Sequence, residues 1–241
     1  MKKSIIFFLL TLSIITVGCN GAFHSTVAGN GNSTTKSFNV SEFANIDASS
    51  AFDIDVVVGE SQSVKIETDE NLMKYVEVFV KNNTLYLKLE NNTNINGDME
   101  VSISVETLKN VDLSGACKIN IENIKTDNFT MDVSGACKGT LSGKVENLSL
   151  DLSGATKLNT VDLKTQNLNI DMSGASKLEV HCENSLTVDA SGASKIIVHG
   201  DPKTTKTDFS GASSVKFKWF LYFWNIDNSK NINIPLRNEN G

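Results

Sequence analysis

Six carboxylates recur at almost one interval: Asp112, Asp132, Asp151, Asp171, Asp189 and Asp208 lie 20, 19, 20, 18 and 19 residues apart. Each opens the same pentapeptide, Asp-x-Ser-Gly-Ala, whose glycines are Gly115, Gly135, Gly154, Gly174, Gly192 and Gly211. Lys118, Lys138, Lys157, Lys177 and Lys195 each stand six positions after an Asp. Stacked copies would place like charge over like charge. A carboxylate column at strand spacing repels itself unless lysines, backbone N–H groups or cations compensate it. Calcium binding is the sharpest chemistry such a column could perform, but the interval differs from that of the glycine-rich nonapeptide calcium repeat. The column is therefore read as structural, with no metal and no cofactor assigned.

The position after each motif alanine reads Cys117, Cys137, Thr156, Ser176, Ser194 and Ser213, so the two cysteines occupy equivalent sites in adjacent copies. A separation of ~4.8 Å is within the range that a disulfide accepts, and an exported chain would meet an oxidising compartment. Both a disulfide and two stacked thiols fit this spacing; parallel Cβ directions favour the thiols. His181-Cys182 has the residue types of a metal ligand or a nucleophile. Alternation nevertheless puts Cys182 on the apolar side with Leu178 and Val180, where an inert buried thiol is expected. No convergent catalytic set emerges, and the single arginine is Arg237.

The elements that must position these residues follow from the alternation around each motif. Leu148, Leu150 and Leu152 precede one glycine and Leu158 follows it; Leu168, Ile170 and Met172 precede the next, with Leu178 and Val180 after it. Period two means half-buried strands. A repeat of 18 to 20 residues is too short for a strand, a crossover helix and two loops. Each coil must contain short strands joined by tight corners and stacked on the next coil. The fold class is all-β: a single-chain parallel β-helix, or β-solenoid, right-handed, with coils of about 19 residues. The motif suits a corner. Glycine can adopt positive φ, alanine fits inside the bend, and Ser and Asp can bond backbone groups that the bend leaves unpaired.

The N-terminus reads as an export signal. Met1-Lys2-Lys3 precedes an apolar run over residues 5–17 and then Gly18-Cys19, the order of charged, apolar and small-residue regions in a secretory leader. Thirteen apolar residues are too few to span a bilayer, which needs ~20. Thr16-Val17-Gly18-Cys19 resembles a lipobox, which implies cleavage before Cys19 and a lipid on its thiol. Residues 1–18 are thus assigned as signal peptide, and residues 19–37, rich in Gly, Ser, Thr and Asn, as a flexible tether after the lipidated cysteine. Cleavage would remove two lysines and no acid, taking the formal charge from −6 to −8. That balance gives a nucleic acid no electrostatic help, so no nucleic-acid partner is expected. The membrane is met through the lipid anchor only.

Residues 38–241 read as one domain, with regular repeats over 110–216 and a C-terminal cap over 217–241. Residues 54–58, 64–66, 76–80, 85–89 and 101–105 are expected strands, and residues 71–74 a single helical turn. Asp47-Ala48-Ser49-Ser50-Ala51 is a decayed copy of the motif, which places this part in the same solenoid. Near the C-terminus, Trp219, Phe220, Tyr222, Phe223 and Trp224 cluster and include both tryptophans. They read either as a final strand that covers the last coil or as an aromatic surface for a partner, a glycan or a second copy in a homo-oligomer.

Phe38-x-Val40-x-x-Phe43-x-x-Ile46-Asp47, Phe52-Asp53-Ile54-x-Val56, Asn83-Thr84-Leu85-Tyr86-Leu87 and the recurring Leu-Ser-Gly-Ala-Ser-Lys type motif resemble the head GIN domain family over residues 38–216. Its members are called putative auto-transporter adhesins and are common in Bacteroidetes. The resemblance implies a β-helical exported protein of the cell envelope, lipid-anchored at the outer membrane, whose adhesin label names no ligand. Residues 20–24 carry no acid after Cys19, which favours the periplasmic over the surface face and leaves the face open. The functional expectation is a non-catalytic adhesin or interaction module with a protein or glycan ligand. The alternative is a carbohydrate-active β-helix enzyme of the polysaccharide lyase or hydrolase type. Fold analogy cannot establish it, and such an enzyme would break its repeat with loops bearing non-repeated charged groups around a cleft.

Overall fold

Period-two alternation across the repeats produces strands that bury every second side chain and turn wherever the Gly-Ala pair recurs. A computed structural model describes residues 25–90 and 93–218. The N-terminal part holds β1 (Ser25–Ala28), β2 (Ser33–Ser37), β3 (Asn45–Ser50), β4 (Asp53–Val58), β5 (Ser63–Asp69), β6 (Val76–Lys81), β7 (Thr84–Leu89), β8 (Thr93–Asn96) and β9 (Glu100–Val105). The repeats supply β10 (Asn110–Gly115), β11 (Lys118–Gly135), β12 (Lys138–Gly154), β13 (Lys157–Thr160), β14 (Leu163–Met172), β15 (Lys177–His181), β16 (Ser185–Ala190), β17 (Lys195–His199), β18 (Thr204–Phe209) and β19 (Ser214–Lys218).

From β10 onward every pairing is parallel and in the register of the motif. Asp112 lies opposite Asp132, Asp132 opposite Asp151, Asp151 opposite Asp171, Asp171 opposite Asp189, and Asp189 opposite Asp208. The β-solenoid expected from the repeat is therefore the architecture observed. Its interior is a set of apolar columns: Phe129, Leu148, Leu168 and Leu186 stack in one, Met131, Leu150, Ile170 and Val188 in another, and all are buried. Full burial of such side chains contributes roughly 1.5–3 kcal/mol each, and stacking extends the core by one layer per coil. β11 and β12 run on through a second bend, where Asn123 and Gly143 take positive φ and the register between the two strands slips at Ile121/Ile124.

The N-terminal segment is built into the same stack, as the decayed motif implies. β3 and β4 form a coil directly against β10 and β11, with Asp47 opposite Asp112 and Ser50 opposite Gly115. The chain between these coils does not lie between them in space. It moves to the far side, where β7 and β9 stack parallel on β3 and β4. Antiparallel strands then close that end: β6 on β7, β5 on β9 and β2 on β5. The strands expected before the regular repeats thus form a mixed cap followed by parallel coils. A parallel stack exposes unpaired backbone at its ends, and hairpins that fold back occupy those groups. The expected helical turn is a 3₁₀ turn at Met73–Tyr75.

The tether is corrected too. Within residues 19–37, β1 pairs with β8 and β2 pairs with β5. Low apolar content argued against a core contribution, and these strands add little to one. Backbone pairing holds them, helped by polar contacts such as Ser33 Oγ donating to Glu67 Oε1 at 2.8 Å. Residues 19–24 lie outside the described residues.

Candidate interaction faces of the solenoid

The corner is a repeated hydrogen-bond unit. The alanine N–H of each coil donates to the carbonyl of the glycine one coil back, as in Ala136 to Gly115, Ala155 to Gly135 and Ala175 to Gly154, each at 2.8 Å. The side chain after the alanine points inward and approaches the same carbonyl: Cys137 Sγ lies 3.8 Å from Gly115 O and Ser176 Oγ 3.3 Å from Gly154 O. Cys117 Sγ does the same toward Ser50 O at 3.2 Å, because Ser50 holds the glycine position of the decayed motif. Elsewhere in the column Ser194 Oγ donates to Ser191 O at 3.1 Å, and Thr156 Oγ1 and Ser213 Oγ have no hydrogen-bond partner among the described residues.

Asp112, Asp132, Asp151, Asp171, Asp189 and Asp208 all point outward, and Asp47 extends their column by one. The expected role of these carboxylates as corner hydrogen-bond acceptors is corrected. Among the described residues they accept no protein hydrogen bond, whereas the motif serines Ser153 and Ser191 bond the carbonyls of Val133 and Met172. The Asp column also makes no ion pair with the Lys column, because the corner puts the two on different walls. Partial burial, with Asp47 and Asp132 beside it, raises the Asp112 carboxyl above the ordinary carboxylate value. Partial burial and then Asp151 do the same to Asp132. At Asp112 and Asp132 repulsion along the column thus adds to the effect of burial.

Lys118, Lys138, Lys157, Lys177 and Lys195 stack in register on the wall that follows the corner. At one end Asp53 lies opposite Lys118, with Oδ2 2.7 Å from its Nζ, and this bond holds the lysine above its usual pKa. Lys177 Nζ is 3.0 Å from Glu179, whose carboxyl it holds below the usual range. Lys138, Lys157 and Lys195 make no ion pair or hydrogen bond with any described residue. A second lysine column, Lys125, Lys144 and Lys164, runs along another wall. Each of these lysines stands seven residues before the next motif Asp, an offset already present in the sequence.

A further column stands four residues before the next motif Asp at Asn128, Asn147 and Asn167 and continues at Asn184. Asn184 Nδ2 donates to Asn167 Oδ1 at 2.9 Å, Asn167 Nδ2 to Asn147 Oδ1 at 2.9 Å and Asn147 Nδ2 to Asn128 Oδ1 at 3.0 Å. The recurrence of Asn at 128, 147 and 167 was the available signal. This ladder pairs neutral amides across coils and so ties the stack together without repulsion.

Cys117, Cys137 and Cys182 are buried free thiols. The neighbouring Cys117 thiol lowers Cys137 to about 7, while the same contact and burial push Cys117 up. Cys182 is buried as alternation requires, faces the carbonyls of Gln166 and Ser185, and is pushed up chiefly by burial. Next to it His181 points outward, 3.3 Å from Glu183 Oε1. Among the described residues no cluster of three or more His, Cys, Asp and Glu side chains is placed to hold a metal ion. Cys19 and the aromatic residues Trp219, Phe220, Tyr222, Phe223 and Trp224 lie outside the described residues. The chain reaches them from β19, whose Val215 and Phe217 pack against the core.

With this geometry the chain is similar to two crystal structures of putative adhesins. One, from Bacteroides fragilis NCTC 9343, shares 20% identity, covers 80% of this chain and 100% of its own, and superposes with a TM-score of 0.66. The other, from Parabacteroides merdae ATCC 43184, shares 17% identity, covers 80% of this chain and 99% of its own, with a TM-score of 0.54. At these identities the likeness concerns the fold. No curated protein matches the chain. The family model described as putative auto-transporter adhesin, head GIN domain, matches residues 42–202, from the coil of the decayed motif through the fifth full copy. That match covers most of the sequence, and this chain belongs to the head GIN domain family.

Proposed function

We propose that the protein is a non-catalytic adhesion or interaction module, exported and held at the outer membrane by a lipid on Cys19, that meets a protein or glycan ligand along the walls of its solenoid. The observation that carries this reading is the uninterrupted register from Asp47 to Asp208. It stacks the outward motif positions into columns of like groups, Asp over Asp and Lys over Lys, a geometry suited to meeting an extended partner along a line. Enclosing a small substrate would call for loops that break the repeat. The family description and the adhesin names of both similar structures support an adhesin-like role at the cell envelope.

The test is a glycan-array and whole-cell binding screen of the full chain, paired with lyase and hydrolase assays on the same polysaccharides. Stable binding without product is expected; turnover without stable binding would overturn the reading in favour of a carbohydrate-active enzyme. Cys19→Ser is expected to abolish lipid labelling, and loss of the protein on protease shaving of intact cells would assign it to the surface face.

A further inference from the structure

The lysine column deepens that reading and rests on it for the class of activity. Lys118, Lys138, Lys157, Lys177 and Lys195 repeat at the strand spacing of ~4.8 Å along one wall of a chain whose formal charge is −6. Stacking five ammonium groups this closely opposes stability, since like charges directly opposite in a sheet repel. Three of the five have no partner of their own among the described residues.

The surroundings define what could supply the missing charge. On the corner side the nearest outward residues are alanines, Ala116, Ala136, Ala155, Ala175 and Ala193, all exposed, so no bulky side chain screens the ammonium groups. On the other side, two residues along each strand, stand Asn120, Thr140 and Asn159, a strip of amides and a hydroxyl. Carboxylates lie near Lys118, where Asp53, Asp55 and Glu100 act on it and Asn120 Nδ2 donates to Glu122 Oε1 at 3.2 Å, and near Lys177, where Glu179 stands opposite Asn159. The middle, around Lys138 and Lys157, is therefore cationic with a neutral hydrogen-bonding margin.

We propose that this wall binds an extended acidic polysaccharide, each anionic sugar set against one lysine and its hydroxyls against the Asn120, Thr140 and Asn159 strip. The column is one lysine wide and straight, which suits a single polymer chain. Its repeat is comparable to the length of one sugar ring, so successive uronic or sulfated sugars stay in register with successive coils. The strip holds no aromatic ring for the base stacking on which single-stranded nucleic acids depend. It also holds no apolar anchor of the kind that carries a protein into a bilayer.

The test measures binding of the full chain, purified in non-ionic detergent, to immobilised polygalacturonate, to heparin, to neutral dextran, to duplex DNA and to anionic phosphatidylserine vesicles. Binding to one or both acidic polysaccharides and not to dextran is expected, weakening as salt rises. Lys138→Gln/Lys157→Gln should reduce that affinity at least about tenfold. Lys138→Arg/Lys157→Arg should keep it, and Lys125→Gln/Lys144→Gln, which removes equal charge from the other column, should change it less than about threefold. Unchanged thermal melting would exclude misfolding as the cause of a loss. Equal losses in both glutamine variants, or equal binding to DNA or to vesicles, would overturn the proposal. So would no binding to either acidic polysaccharide. Where the chain still binds another glycan or cells and the Lys138/Lys157 variant does so equally well, the lysine wall fails while the adhesion reading stands; turnover of a polysaccharide would remove the adhesion reading itself.

Discussion

Gly154 stacks on Gly135 so closely that a methyl group on Gly154 would lie 2.4 Å from the Gly135 carbonyl oxygen, with the Gly154 backbone at φ +98°. That carbonyl accepts the Ala155 N–H, so it cannot retreat without breaking the corner bond. Gly154→Ala should destabilise the protein by about 3 kcal/mol, combining a left-handed backbone with a backbone clash. Gly59→Ala separates the two costs, since Gly59 has φ +92° but open space around it. It should lose only about 1 kcal/mol. Chemical denaturation of both variants checks this, and equal losses would mean that coil contact adds nothing.

Ser50 occupies the glycine position of the decayed motif, opposite Gly115, and holds φ at +129°. A residue with a side chain is strained there, and among the described residues no side-chain hydrogen bond of Ser50 offsets it. Ser50→Gly should raise stability by about 1 kcal/mol, visible as a higher melting temperature. A fall would show that the serine side chain contributes more than its backbone costs.

Asp112 and Asp132 titrate above the ordinary carboxylate value in the folded chain. Groups shifted upward favour the fold when protonated, so their contribution is complete below the unfolded-state value and is lost as pH rises through the raised folded values. Asp132→Asn should therefore stabilise at neutral pH, by about 0.5 kcal/mol given the exposure of the column. The gain should vanish in acid, where the wild-type group is protonated, and shrink in high salt. Melting temperatures across pH at two ionic strengths test all three; a neutral-pH loss would mean that the carboxylate is compensated in solution.

Cys137 shares its column with the hydroxyl residues of later coils and its glycine-carbonyl contact with Ser176. Cys137→Ser should thus change stability by less than about 1 kcal/mol, and Cys117→Ser/Cys137→Ser should keep the same far-ultraviolet spectrum. In the wild type, one thiol of the pair should titrate near the value of about 7 that its neighbour imposes on Cys137. Thiolate absorbance at 240 nm reads this directly. Titration of both thiols well above the ordinary range would show that burial outweighs the neighbouring thiol.

Period and composition alone determined the stack, the inward and outward faces of its strands, and the vertical alignment of Asp, Lys and Cys. A repeat of fixed length with period-two burial admits one register, because a slip by one residue would send Leu150 outward and Asp151 inward. The decayed motif was legible as a coil for the same reason. What lies between columns on different walls is decided by corner angles, which no spacing along the chain encodes. The sequence therefore allowed Lys118 to offset Asp112, whereas the tertiary structure turns the corner between them and pairs Lys118 with Asp53, 65 residues away. The second lysine column was legible as a fixed offset, since Lys125, Lys144 and Lys164 each precede a motif Asp by seven residues, but only the fold shows which wall it occupies. The mixed cap was illegible because antiparallel and parallel partners place the same demand on a strand's alternation, and only closure of the stack's open end selects between them.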